Sequence, residues 1–303
     1  LPIHLKKVQN LIEQPYSPSM MRSILDLQAL LEHVCVRVLE AGARLVAERA
    51  RPEGRRGAAD SAPVDAEIEL ALRSALLAAW PARFIGEELG VVPCPADASP
   101  EQRRTCWVVD PHDGTRDFLR GLGGSSVSVA LLDEGHPVLG VVYAPMPPDR
   151  GPDLIAWAKG AGPVRRNGIS LDHALTPSLT DQKLVQGSHV LMSTLATQRS
   201  EASAALVAPA SFIPMTSIAY RLARVAAGDA VATLTLHGAQ SWDIAAGHAL
   251  LLGAGGELYD ESGSPVRYGA NGVGEVRACF GGAPAAALEL VTRKSAWSRA
   301  GGR

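Results

Sequence analysis

From Ile24 to Ala50 apolar residues recur at helical spacing, with Leu27, Leu30, Leu31, Val34, Val38 and Leu45 on one face. Arg51 to Gly57 interrupts that pattern with proline, glycine and charge. A second amphipathic stretch runs from Asp65 to Trp80, and Pro81 ends it. Phe84-Ile85-Gly86 and Trp107-Val108-Val109 are short apolar runs that read as buried strands. Ser125 to Leu132 and Val138 to Tyr143 predict two strands joined as a hairpin across Asp133-Glu134-Gly135. Pro145 to Pro152 reads as a loop.

Beyond about Gly160 short strands alternate with Ala-rich helices. Ser217 to Ala227 and Ile244 to Leu252 read as helical, Val231 to Leu236 and Glu257 to Tyr259 as extended. The pattern predicts a mixed fold, α+β in its first half (21–160) and α/β in its second (161–285). Leu1 to Met20 reads as an upstream extension, with the natural start near Met20 or Met21. Residues 286–303 read as a tail, basic and frayed from Arg293.

The 303 residues are 47% hydrophobic, enough for one large core or two compact ones. A net charge of −2 leaves no electrostatic footprint for a nucleic-acid polymer or an anionic membrane. No apolar run has the length of a membrane span. Cys35, Cys94, Cys106 and Cys279 are scattered without a C-x-x-C pair, which predicts reduced thiols and a cytoplasmic setting.

Chemistry concentrates at three places. In Asp110-Pro111-His112-Asp113-Gly114-Thr115, Asp110 falls where the Trp107–Val109 strand is expected to end, Pro111 to stop the ladder and Asp113-Gly114 to turn the chain. Carboxylates at that spacing can converge on a hard divalent cation, and amide N–H groups beyond Gly114 can hold an anion. The same segment could be turn chemistry alone. Glu87-Glu88 follows the Phe84–Gly86 run and could be a solvated loop. Asp243, in Ser241-Trp242-Asp243, could simply cap the helix that follows.

Taken together, the three segments resemble the signature of the inositol monophosphatase superfamily, which includes 3′(2′),5′-bisphosphate nucleotidases. The resemblance runs from about Asp65 to Gly256. It implies a layered αβαβα sandwich with the site between two halves, and a magnesium-dependent, lithium-sensitive phosphatase using two or three Mg²⁺ ions. By resemblance Asp110 bridges the metals. Glu87 and the backbone carbonyl of His112 complete one metal site, and Asp113 and Asp243 complete the other. Glu87 also counts among the catalytic residues, with Asp65 and Thr115. Glu88 is expected behind the ligands. Gly114 and Thr115 match the phosphate cradle, and Thr115 paired with Asp65 would orient or deprotonate the attacking water. Asp113, Gly114, Thr115 and Asp243 would also face the substrate. Asp65 could equally cap its helix, although Glu69 resembles the family's acidic residue one turn later. The resemblance implies direct attack by water, a small phosphorylated substrate and a homodimer.

The chain departs from the family pattern in places. Ala62-Pro63-Val64-Asp65 stands where Thr-x-Ala-Asp is usual, Arg55 and Arg56 where a lysine is usual, and Gly253 where a glutamate often precedes Ala-Gly-Gly. Thr233 to His237 lacks the carboxylate that animal inositol monophosphatases place before Trp-Asp. Arg221 falls near a basic position of the nucleotidases, and Arg116-Asp117-Phe118 is similar to their Lys-Glu-Phe; Tyr220-Arg221 could also be a surface pair. The expected activity is therefore hydrolysis of an inositol or sugar phosphate, with 3′-phosphoadenosine 5′-phosphate as the alternative substrate. Fructose 1,6-bisphosphate is a third option, and a regulatory binding role in a transcription complex is an alternative of another class.

Overall fold

A computed structural model describes residues 26–58, 61–171 and 178–299, the side chains of 295–299 excepted. The expected extension 1–20 lies outside the described residues. The chain opens with two helices, α1 (Leu27–Arg49) and α2 (Pro63–Ala79). Asp26 caps α1 by accepting from the Ala29 amide, and Pro63 starts α2 where a missing N–H costs nothing. The stripe read from the sequence is the packed face, with Leu30, Leu31, Val34, Val38 and Leu45 buried.

An eight-stranded sheet follows, built from β1 (Arg83–Gly86), β2 (Gly90–Val92), β3 (Thr105–Asp113), β4 (Ser126–Asp133), β5 (His136–Ala144), β6 (Asp153–Ala158), β7 (Arg165–Arg166) and β8 (Ile169–Ser170). Its order is β2-β1-β3-β4-β5-β6-β7-β8, antiparallel except for the parallel β1/β3 pair. Short helices α3 (Pro100–Arg104) and α4 (Thr115–Leu119) flank β3. Glu134 and Gly135 take positive φ in the β4–β5 turn, which closes the expected hairpin.

The second half contains β9 (His189–Ser193), α5 (Ser200–Val207), β10 (Ser211–Met215), α6 (Ile218–Ala226), β11 (Ala232–Thr235), β12 (Ala239–Gln240), α7 (Ser241–Gly253), β13 (Glu257–Asp260), β14 (Glu275–Val276), β15 (Cys279–Gly282) and α8 (Pro284–Arg299). Five of these strands form a sheet of order β10-β9-β11-β15-β13, and β12 pairs with β14. Helices α6 and α7 lie between the two sheets and touch both; α1 and α2 cover the outer face of the first sheet, α5 and α8 pack on the second. The result is an α+β sandwich of alternating helix and sheet layers.

The central strands β3, β4 and β5 are buried on both faces, so they read as continuous apolar runs. Their faces still alternate. Trp107, Val109, Val127, Val129 and Leu131 join the α1–α2 core, while Val108, Ala130, Leu132 and Val142 join the core around α6 and α7. Asp110 is in phase with Val108, and the strand period turns it toward the middle layer.

Three expectations need correction. Pro111 does not end β3: pairing with β4 breaks after Asp110↔Ser128 and resumes at Asp113↔Ser126, so the proline sits in a bulge. The first sheet continues to Ser170, past the boundary expected at 160, because β7 pairs with β6 and β8 with β7. The tail expected from 286 is helical as far as Arg299, where the described residues end: α8 buries Ala286, Ala287 and Leu290. Their helical spacing carried that signal beneath the basic end.

Candidate active site

The bulge in β3 redirects two carboxylates. The His112 amide donates to Asp110 Oδ1 at 2.8 Å, a bond that replaces a ladder partner lost around Pro111. Gly114 follows with φ +100°, and a Cβ there would meet Ser125 Cβ at 3.3 Å, so the turn that starts α4 suits glycine. Asp113 is then held from across the molecule: Oδ2 accepts from the Ser217 hydroxyl at 2.7 Å and from the Ala219 amide at 2.6 Å at the start of α6. Asp243 lies in the first turn of α7, where its Oδ2 accepts from the Gln240 amide at 2.7 Å. It is the third residue of the helix, closing a capping box, rather than the cap itself.

Asp110, Asp113 and Asp243 each bring a carboxylate oxygen to within 4.8 Å of the other two. Glu87, on the turn after β1, lies outside that trio, but its carboxyl and that of Asp110 act on each other electrostatically. Residue 87 as a whole is exposed, yet loss of water at its carboxyl and the acidic groups around it push Glu87 up to about 7. Burial, then Asp113 and Glu87, push Asp243 up to about 8. Burial and the same neighbours hold Asp110 well above the usual carboxylate range. Asp113 is raised by burial, against the pull of Ser217, Ala219 and Arg221. Four carboxyl groups that resist ionising together are short of positive charge. Hard oxygen donors in this arrangement fit a divalent cation such as Mg²⁺.

Beside the trio is a second constellation. Asp65, 0% exposed, is the third residue of α2 rather than its cap. Its Oδ1 is 2.7 Å from His112 Nδ1 and its Oδ2 is 3.0 Å from the Thr115 hydroxyl. Thr115 Oγ1 is also 2.8 Å from the His112 carbonyl oxygen. One hydroxyl proton therefore has two acceptors, the Asp65 carboxylate and a peptide oxygen. The His112 ring is buried, with Nε2 3.1 Å from Ser125 Oγ, so its side chain faces Asp65 and Ser125.

Glu69 sits one turn after Asp65 and accepts from the Glu88 and Leu89 amides at 2.7 and 2.8 Å, which fixes the turn that carries Glu87. A Cβ at Gly86 would fall 2.1 Å from Glu69 Oε1. Arg221 is not a surface residue: at 2% exposure it reaches Thr235 Oγ1 at 2.8 Å, and its Nε and Nη1 have no hydrogen-bond partner among the described residues. Burial draws it below its ordinary value against the attraction of Asp113.

The sequence reading missed Ser125 and Ser217. Ser217 was visible only as a serine opening a helix, where it also accepts from the Tyr220 amide. Its contact with Asp113 joins residues 104 apart in the chain, and no local pattern encodes that.

Comparison with known proteins points the same way as the motifs. A 3′(2′),5′-bisphosphate nucleotidase CysQ of Shigella flexneri is 32% identical over 54% of this chain and 61% of its own length. A Nus factor SuhB of Xylella fastidiosa is 34% identical over 53% of this chain and 57% of its own. The chain thus spans about 60% of these curated relatives. The solved structure of the Thermotoga maritima IMPase superposes with a TM-score of 0.68 over 90% of this chain and 99% of that one, at 20% identity, and so shares the fold. The profile of the inositol monophosphatase family matches residues 27–294, nearly everything the structure describes, and the chain belongs to that family.

Proposed function

We propose that the chain is a Mg²⁺-dependent phosphatase that hydrolyses a small phosphomonoester with water as the nucleophile. The observation that carries this reading is the convergence of Asp110, Asp113 and Asp243 beside the Asp65–Thr115 pair. Those aspartates, with Glu87 and the His112 carbonyl, are the groups that would hold Mg²⁺. When bound, the cation supplies charge to a phosphate ester and lowers the pKa of water.

The chain's own residues divide the remaining work. Gly114 leaves the backbone beside Thr115 without a side chain in the way of an anion. Asp65 Oδ2 lies where it can take a proton through the Thr115 hydroxyl, and the peptide oxygen of His112 orients that hydroxyl. Asp65 is itself held by the His112 ring, so its second oxygen stays directed at Thr115. Asp113, at the end of β3, and Asp243, in the first turn of α7, would face the substrate together with the cation.

Arg221 supports a nucleotidase as the second reading. It falls near a basic position of the nucleotidases, and its buried guanidinium beside Asp113 keeps two nitrogens without a partner among the described residues. Phosphate release with Mg²⁺ from inositol 1-phosphate, 3′-phosphoadenosine 5′-phosphate and fructose 1,6-bisphosphate tests both readings, with Asp110→Asn as control. Turnover of one ester, lost in the variant, is the expected result; no turnover of any by a Mg²⁺-binding chain would sink the phosphatase reading. Lithium inhibition and a homodimer belong to the same proposal. Graded LiCl in that assay and light scattering on the eluting protein check them.

A further inference from the structure

A second cleft, with three arginines in its lining, contains none of the carboxylates above. It encloses about 360 Å³ and is lined by Arg55, Gly57, Ala58, Arg116, Leu119 and Arg120. We propose that this cleft is a second anion subsite, which takes a phosphate or sulfate group. Its occupant is the second anionic group of a substrate whose first phosphate sits at the Asp110–Thr115 centre. The proposal rests on the phosphatase reading and narrows it to doubly anionic substrates.

The arginines come from two segments. Arg116 and Arg120, with Leu119, are spaced to share one face of α4, while Arg55 comes from the loop after α1. Neighbouring arginines at the end of α1 and in that loop are committed elsewhere. Arg56 pairs with Glu48 and Glu67, and Arg49 donates to the Gly121 and Leu122 carbonyls. Arg55 makes one long bond, 3.3 Å to the Leu119 carbonyl, and its buried Nε has no partner among the described residues. Arg120 has Asp117 at 3.8 Å, a distant and solvent-screened contact. A rigid guanidinium fork with unused donors matches a tetrahedral oxyanion, and a neutral sugar gives it little to bind.

The cleft is also mechanically joined to the centre. Arg116 follows Thr115 directly. The Arg55 guanidinium lies 5.9 Å from the centroid of the Phe118 ring, and that ring meets the His112 ring edge-on at 4.6 Å. His112 in turn holds Asp65. The two anion positions therefore share the short helix α4, with Thr115 as its first residue and Arg116 the next.

Two substrates that differ only in the second phosphate test the idea: adenosine 3′-monophosphate and 3′-phosphoadenosine 5′-phosphate, assayed on the Mg²⁺-loaded chain. The expected result is a KM at least tenfold lower for the bisphosphate, with the ratio of the two KM values collapsing toward one in Arg120→Gln and in Arg55→Gln/Arg120→Gln. A preference that persists in both variants overturns the proposal. A separate arm uses sodium sulfate against sodium chloride at matched ionic strength. A sulfate-specific rise in Tm present in the wild type and lost in the double variant supports an anion subsite and, without a bisphosphate preference, assigns the occupant as a free anion. Equal responses in the two proteins overturn the subsite. Because this arm needs no turnover, failure of the phosphatase reading and failure of the subsite remain distinguishable.

Discussion

At the residue scale, one hydroxyl is asked to do a specific job. Thr115 Oγ1 stands between Asp65 and the His112 carbonyl. Thr115→Val keeps the shape and removes the proton relay, so kcat is expected to fall by about 10²–10⁴-fold, the range for general acid–base groups, with KM changed far less. A parallel rise in KM would instead make Thr115 a binding residue. The crowded carboxyls give a second prediction. Glu87 and Asp243 are raised from 4.5 to about 7 and from 3.8 to about 8. Between the ordinary and raised values the folded chain keeps protons that the unfolded chain has released. Stability supplied by that difference is complete below about pH 4 and declines as pH rises toward 8. In EDTA, Tm should therefore drop from pH 5 to pH 8, and added Mg²⁺ should recover most at the alkaline end, where the ligands are already deprotonated. A flat profile in EDTA would show that the groups are not raised.

At the element scale, the turn after β1 depends on a carboxylate from another helix. Glu69 of α2 ties down the Glu88 and Leu89 amides, and Gly86 passes too close to it for any side chain. Gly86→Ala is expected to displace Glu69, weaken Mg²⁺ binding through Glu87 and cost about 1–3 kcal/mol, the range for overpacking. A Mg²⁺ titration and a urea midpoint check the two effects. The elements themselves were largely legible: the α1 stripe, the β4–β5 hairpin with Asp133-Glu134-Gly135, and the helices at Ser217 and Ile244 all follow local periodicity. What escaped has a physical reason in each case. Pro111 reads as a strand end because it cannot donate to a ladder, yet a bulge absorbs the same defect. Asp65 and Asp243 read as caps because a cap and a third helical residue differ by one turn of chain. Ser217 and Ser125 matter only through partners distant in sequence.

At the scale of the whole molecule, the two sheets are joined by more than apolar packing. Asp153 on β6 is 1% exposed and receives the Tyr220 hydroxyl at 2.7 Å and two bonds from Arg166. Arg166 and Arg224 meet again at Asp229, after α6. This network fastens the helix that carries Ser217 and Arg221 to the first sheet. Asp153→Asn leaves Arg166 without its buried counter-charge and is expected to cost about 3–5 kcal/mol, read from urea unfolding. Loss within a few tenths of a kcal/mol would mean that Asp229 alone suffices. None of this network was visible in the sequence, because its arginines and aspartates look like ordinary surface charge until the layers bring them together.

The clamp on Asp113 has a consequence for how a ligand would arrive. Ser217 and the Ala219 amide already occupy one of its oxygens, and the Gln240 amide occupies one of Asp243. Two of the three converging carboxylates therefore have their rotamers fixed by main chain, with little torsional freedom left to surrender on association. Arrival of a cation should be limited by stripping its water rather than by rearrangement of the polypeptide. The Ala219 and Gln240 amide hydrogens should exchange slowly with solvent deuterium in the chelator-treated chain, and no faster than when Mg²⁺ is present.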